Sequence, residues 1–519
     1  MHNRFIIILF SLIIIIGGAA TALAQYEEMC QMCHADESIE PVTERGAILD
    51  LYLPVETYEM ATHGNMECTL CHVESEEGGF EEFPHLLDKS ATPMCLDCHG
   101  EEFEDIHDAY ELSYHAKNIK EFSCFNCHDI HRANFDSLTQ DYAHEIQYYN
   151  QKCYHCHVDS AIYAYYSGKD ASKLDLSHSF LPSREVHWRS VRCVECHTPA
   201  DQSNVHDIVA GDQAQHKCVA CHSQNTLLTR KLYKRTATTD AGDQDNHKIM
   251  NYFLFQNAYV IGATRLTIVD TLVLILFIAA FAGVVGHGLL RVVLVGKKDY
   301  SKGYELHTEY LYKLETRLWH WTNALLFIVL IATGFSLHFS TTRSIIDFSL
   351  AVHVHNWAAR ILIVAYLFYL IMNFVDGNIK QYIPGSRNIL HRLFLQARYY
   401  AYGCFKKEDK PFKSSAKHKF NPLQRMSYLA VMFFFFPVII TTGLLLMFPD
   451  SVPTGLLGVA GLGAIAIAHY ITAVFLVLFM IVHIYLGTTG DKVFFLYQAM
   501  LNGYHKAFQH KAVNDQKEE

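Results

Sequence analysis

Five long apolar runs mark the C-terminal half of the chain, at approximately 268–292, 319–338, 353–374, 427–448 and 464–487. Each reaches the roughly 20 residues that a helix needs to cross a bilayer, so five spanning helices are expected. Between residue 25 and the first of these runs, neither the helical period of about 3.6 nor the strand period of about two is sustained, which predicts turns, loops and short helices. A further apolar run, Phe5 to Ile16, follows Arg4 and precedes Ala22-Leu23-Ala24. A positive start, an apolar centre and small terminal residues read as a secretory signal over 1–24, with an uncleaved anchor helix as the alternative. The expected organisation is a signal segment, a polar exported domain over 25–250, a five-helix membrane domain over 251–495 and a cytoplasmic tail over 496–519.

Loop charge orients the bundle. Lys297 and Lys298 follow the first run, and the 376–426 connection carries Lys380, Arg387, Arg392, Arg398, Lys406, Lys407, Lys410, Lys413, Lys417, Lys419 and Arg425. The connections 339–352 and 449–463 hold only Arg343. Basic loops stay cytoplasmic, which predicts residue 250 outside and the C-terminus inside a bacterial inner membrane. The net charge of −11 averages an acidic exported half with these basic loops and decides little by itself. No nucleic-acid partner is expected.

Fifteen cysteines in an exported protein suggest disulfides. Fourteen of them, however, form seven Cys-x-x-Cys pairs, each followed directly by His. The sets are Cys30, Cys33 and His34; Cys68, Cys71 and His72; Cys95, Cys98 and His99; Cys124, Cys127 and His128. Then come Cys153, Cys156 and His157; Cys193, Cys196 and His197; and Cys218, Cys221 and His222. Two thiols at this spacing add to the two vinyl groups of one haem, and the next residue reaches the iron. One such motif could be a redox dithiol or half a zinc site. Seven within residues 30–222 predict seven covalently attached haems c, outside the membrane. So few residues per cofactor cannot build a conventional core, so the macrocycles are expected to be the core. Cys404 belongs to no motif and reads as an incidental reduced thiol.

Each iron also needs a sixth ligand or stays open to substrate. Twelve further histidines lie in this domain: His63, His85, His107, His115, His131, His144, His155, His178, His187, His206, His216 and His247. Position beside a motif selects His63, His115 and His187 before one, His131 and His206 after one, and His85 and His107 around the third. A solvated surface imidazole is the alternative for each. His155 sits inside a motif and is set aside. With histidine in surplus nothing demands an open iron, which favours electron transfer over catalysis at a haem c.

Ionisable residues within spanning segments are functional candidates. His469 and His483, fourteen residues apart on the fifth run, face the same way at about 21 Å separation along a helix axis. Depth selects their partners. His355 starts the third run at the outer side and can meet His469; His320 starts the second at the inner side and can meet His483. This predicts two haems b, one near each membrane face. His353 and His287 have no assigned role; His287 reads as a satisfied core residue, or else a quinone-site or proton-relay group.

The stretch Arg317-Leu-Trp-His-Trp321, the His469/His483 helix and Lys419-Phe-Asn-Pro-Leu-Gln-Arg425 resemble the dihaem cytochrome b subunits of formate dehydrogenases and nickel–iron hydrogenases. The resemblance spans roughly 305–495, and the first helix is additional to that four-helix pattern. It implies a quinone site beside the cytoplasmic haem, involving His483 and Asn421, with Gln424 of the same stretch a further candidate. In the formate dehydrogenase subunit a Gly stands where this chain has Leu423. The whole layout resembles the fused inner-membrane bc-type cytochromes of metal-reducing bacteria. That implies oxidation of menaquinol from the quinone pool and delivery of electrons to a soluble periplasmic c-type cytochrome in extracellular respiration, with an additional subunit possible. Reverse flow into quinone, or a terminal reductase with one catalytic haem c, are the alternatives.

Overall fold

The computed structural model describes residues 30–44, 47–73, 95–120, 122–132, 134, 142–169, 173–199, 205–224, 226–228, 259–295, 304–384, 388–452 and 461–510. The expected signal segment, His85, His247, Lys297, Lys298 and Arg387 lie outside the described residues. The chain divides into two compact units, Met1–Lys217 with Arg230–Asp240, and Cys218–Thr229 with Ala241–Glu519. The division differs from the boundary expected at 250, because the seventh Cys-x-x-Cys-His falls in the second unit.

The first unit is built from short pieces. A two-stranded antiparallel hairpin pairs β1 (Val42–Glu44) with β2 (Ala47–Leu49). Its longest described helix, Tyr142–Val158, ends in the fifth motif. Buried apolar side chains among its described residues are small or few: Ala61, Ala109, Ile146 and Ile162. That is too little apolar burial to stabilise a unit of this length by itself. Polar anchors take up part of the work. Asn150 is buried; its amide donates to Trp188 O (2.7 Å) and Val191 O (3.0 Å), and its carbonyl accepts from Cys193 N (2.8 Å). Next to it, buried Arg192 pairs with Glu145 (2.9 Å) and with Glu195 inside the sixth motif (2.5 Å). These contacts fasten the sixth motif to helix 142–158.

Among its described residues the second unit holds five helices long and apolar enough to span a membrane: Thr267–Val295, Leu314–His338, Phe348–Val375, Pro422–Met447 and Gly461–Gly487. The second and third start about five residues before the apolar runs, because their first turns carry polar residues such as Glu315 and Ser349. Asp347 caps the third by accepting from Ser349 N (2.9 Å) and Leu350 N (3.3 Å). The fourth contains a π-helical turn, Val431–Phe435, directly before Phe436-Pro437. Proline lacks an N–H and crowds the carbonyl four residues back, and the wider turn absorbs both faults.

The second to fifth helices enclose one core, including Leu326, Ala358, Leu362, Tyr366, Met432, Phe436 and Leu476. The first helix buries none of its residues. It is tied at one end to the Tyr399–Gly403 turn and to the end of the fifth helix: His287 Nε2 donates to Tyr400 O (2.8 Å), its Nδ1 accepts from the Tyr485 hydroxyl, and Arg291 donates to Thr488 O (2.9 Å). Both ring nitrogens of His287 are thereby used within the fold. The segment expected as a tail is ordered through residue 510: helix Phe495–Asn502 leads into β4 (Tyr504–His510), which pairs antiparallel with β3 (Tyr304–Tyr310), Tyr304 opposite His510.

Candidate haem sites

An imidazole nitrogen ligates a metal at about 2 Å, so two rings on opposite sides of one iron stand with centres about 6 Å apart. Among the described residues, seven histidine pairs adopt this spacing. In the second unit His320 faces His483 at 6.1 Å and His355 faces His469 at 6.5 Å. In the first unit His72 faces His131 (5.7 Å, Nε2 to Nε2 3.5 Å), His99 faces His63 (6.2 Å) and His128 faces His206 (6.1 Å). His157 likewise faces His115 (6.2 Å) and His197 faces His178 (6.1 Å). Five of the seven motif histidines thus stand, among the described residues, at a ring spacing compatible with two imidazoles on one iron.

The structure brings His63, His115, His131 and His206 to a motif ring. His178 fills the place expected of a selected neighbour, although position along the chain did not single it out. Its only sequence mark is that it stands nineteen residues before the motif histidine it faces. His107 instead approaches Glu111 (3.9 Å), and His187 directs Nδ1 to Ser183 O (3.2 Å). Of the remaining motif residues, His34 donates Nδ1–H to Leu51 O (2.9 Å) and His222 donates Nδ1–H to Ile261 O (3.0 Å). A carbonyl can only accept, so each neutral ring presents an unprotonated Nε2.

Electrostatics in the first unit suit ligation by neutral rings. Burial, with the neighbouring His157, holds His115 down to about 4; burial, with His128, does the same to His206. Burial also lowers His128, His131, His157 and His197. Neutral imidazole is the form that donates a lone pair to a metal.

The His355/His469 pair shows a device that apolar patterning alone did not reveal. Thr333 Oγ1 donates to Val329 O (2.8 Å) and stands 2.9 Å from His355 Nδ1. Thr442 Oγ1 donates to Val438 O (2.7 Å) and stands 3.0 Å from His469 Nδ1. Each hydroxyl has spent its single proton on the helix, so it can only accept from the ring. That fixes Nδ1–H and leaves Nε2 unprotonated, the form that can ligate a metal. The next residue is glycine in both cases. A Cβ on Gly334 would stand 3.4 Å from His355 Cε1, and one on Gly443 3.2 Å from His469 Cε1. The signal in the sequence is a repeat, Ile-x-Thr-Gly-x-x-Leu, at 331–337 and 440–446.

The His320/His483 pair is held differently. His483 stacks on Phe479 (5.5 Å, 26°) and meets the Tyr428 ring at 6.1 Å. His320 Nδ1 is buried with no hydrogen-bond partner among the described residues. Asn421 and Gln424, expected beside a quinone, close a capping box on helix Pro422–Ala430: Gln424 N donates to Asn421 Oδ1 (2.9 Å) and Asn421 N to Gln424 Oε1 (3.1 Å). Asn421 Nδ2 also donates to the Tyr400 hydroxyl (3.2 Å). Each side-chain carbonyl thereby spends one of its two lone pairs on the fold. His353 is exposed on the third helix.

Residues 311–503 match the family described as prokaryotic cytochrome b561. The putative cytochrome YdhU of Escherichia coli K12 is 34% identical over 220 residues, 42% of this chain and 82% of that protein. The cytochrome c-type protein NrfB of Escherichia coli O6:H1 is 24% identical over 141 residues, 26% of this chain and 67% of that protein. No solved structure matches the chain.

Proposed function

We propose, from the premise that the chain belongs to the prokaryotic cytochrome b561 family through residues 311–503, that it oxidises menaquinol in the bacterial inner membrane and passes the electrons to a soluble periplasmic c-type cytochrome. The protein is a membrane haem protein of electron transfer. Two haems b and seven haems c, the quinol substrate, the outward direction and a place in extracellular respiration are our reading of it.

The observation that carries this reading is the placing of four imidazoles in two facing pairs, with the pair members His469 and His483 fourteen residues apart on one spanning helix. Haem supplies a one-electron iron couple when bound there. The chain supplies the ligands, their tautomers and an apolar surround. His483 is the residue we place next to the quinol, with the Phe479 and Tyr428 rings against it as an aromatic wall. Quinol oxidation yields two electrons and two protons, which demands a route across the bilayer for the first and not for the second. Paired rings at both depths answer that demand. On the exported side the five facing pairs of the first unit provide the continuation, and the acidic exported half steers a basic carrier by long-range attraction.

Replacing His483 by Ala in the full-length protein tests the reading. Loss of one haem b and of quinol-driven reduction, with all covalent haem retained, is expected. Retention of both haems b overturns the ligand assignment, and wild-type protein whose haems menaquinol fails to reduce overturns the direction.

A further inference from the structure

Six of the seven attachment motifs lie in the first unit, but Cys218–Thr229 packs with the membrane helices. Several contacts fix it there. The His222 ring stacks on Phe348 with centres 4.5 Å apart and planes 22° apart. His222 Nδ1 is held by Ile261 O (3.0 Å), and Gln224 Oε1 accepts from Arg265 Nη2 (2.6 Å) just before the first spanning helix. Between them Gly262 adopts φ +78°. A side chain there would also strike His222 O at 2.4 Å and Leu337 O at 3.0 Å, so the 259–265 turn is pressed between the motif and the end of the second helix. Phe348, Ala351, Ser340 and Ala263 are buried around it.

Phe348 is also the first residue of the helix that carries His355. Seven residues separate them, close to two turns, so both lie on one face at about 10 Å along the axis. The ring that stacks on the seventh motif's ligand and the ring that ligates beside His469 therefore belong to a single rigid element.

We propose that the seventh attachment site is an integral part of the membrane unit, that Phe348 is the positioning residue that sets its His222 ring, and that this site is the exchange point between the His355/His469 centre and the six remaining c centres. The inference rests on the electron-transfer reading above but holds for either direction of flow. Each transfer moves one electron, oxidising one iron and reducing the next, with no bond or proton changed. The Gly262 turn and the Phe348 stack keep the seventh site on the membrane bundle.

The test uses full-length protein and two variants, C218A/C221A and Phe348→Ala. C218A/C221A should carry one covalent haem fewer by intact mass, keep both haems b, and on mixing with a menaquinol analogue show b absorbance reduced while c absorbance stays oxidised. Full c reduction at the wild-type rate overturns the proposal. Phe348→Ala should retain every haem and shift the electron paramagnetic resonance g-values of one c haem, the one missing from C218A/C221A. Unmoved g-values overturn the positioning role, and this readout stands if the double variant fails to accumulate. A third measurement separates this proposal from the quinol reading. The resonance lost in His469→Ala should relax faster in wild type than in C218A/C221A, because a paramagnetic neighbour has gone. That difference, found in protein whose b haems no quinol reduces, sinks the quinol reading and leaves the junction standing. Equal relaxation in a protein that quinol does reduce sinks the junction alone.

Discussion

Thr442→Val removes one acceptor and almost nothing else, since valine keeps the shape of threonine. The hydroxyl proton already goes to Val438 O at 2.7 Å, so only the lone pair facing His469 Nδ1 at 3.0 Å changes its role. Stripping that buried N–H of its hydroxyl acceptor, with only the Ile439 carbonyl left beside it, costs at most about 1–3 kcal/mol. Loss of a comparable partner behind a metal ligand lowers affinity about 10- to 100-fold, or roughly 1.4–2.7 kcal/mol at about 1.36 kcal/mol per decade. The two routes agree. The assay is haem b content per chain, with a potentiometric titration of what remains. The variant should lose occupancy or shift potential at one haem only, the one absent from His469→Ala. Thr333→Val should behave alike, and the double variant should depart from the sum, because both rings grip one metal and neighbours couple by about 0.5–3 kcal/mol. Thr472→Val is the control: its hydroxyl back-bonds to Ala468 O at 2.7 Å on the same helix and has no imidazole partner among the described residues. Wild-type haem content and potential in Thr442→Val, or an equal change in Thr472→Val, refutes the tautomer lock.

Two further outcomes are expected in the first unit. Arg192→Ala removes the buried cation that pairs with both Glu145 and Glu195, and breaking a buried pair of this kind costs about 3–5 kcal/mol; thermal unfolding should show a lower midpoint, and haem-stained gels less mature protein. His178→Ala should keep all covalent haem but turn one c centre high-spin, the one removed by C193A/C196A, whereas His187→Ala should leave every centre low-spin; the opposite pattern would reassign the sixth ligand of the sixth motif.

The five spanning helices and the attachment motifs were legible because each is a local pattern: an apolar run long enough for the bilayer, or five consecutive residues with one chemistry. Pairing His355 with His469 and His320 with His483 needed only depth. A bilayer aligns helices along one axis and so reduces a three-dimensional question to a coordinate along the chain. No such axis exists in the first unit. With few buried apolar side chains its segments follow no period, so chain proximity brought His63, His115, His131 and His206 to motif rings yet passed over His178. The seventh motif was grouped with the other six by its spelling, while its packing against Phe348 and Gly262 depends on contacts more than a hundred residues apart for the former. Asn421 and Gln424 were chosen through a resemblance, and the local rule that Asn-Pro-x-Gln closes a capping box competes for the same carbonyl groups.

The two ends of the membrane bundle are built on different principles, and the proposed function gives the difference a purpose. At His355 and His469 both rings are locked by hydroxyls and crowded by glycine positions, so ligand orientation is set by the helices themselves. A centre that only receives and passes electrons gains from such rigidity, because little has to rearrange with each change of charge. At His320 and His483 no threonine hydroxyl bonds the rings among the described residues; Phe479 and Tyr428 pack beside His483 instead, and a buried His320 Nδ1 is left without a partner there. Aromatic walls tolerate a planar guest, and a polar ring atom in an apolar surround is stabilised by any hydrogen-bonding group that the guest brings. On this reading the looser end is where a quinol is bound and oxidised, and the stiffer end is where its electrons leave the bundle. Exchanging the devices would separate the two roles: a threonine placed behind His483 should raise the occupancy of that haem while slowing quinol turnover, and a gain in both would show that the looseness serves no purpose.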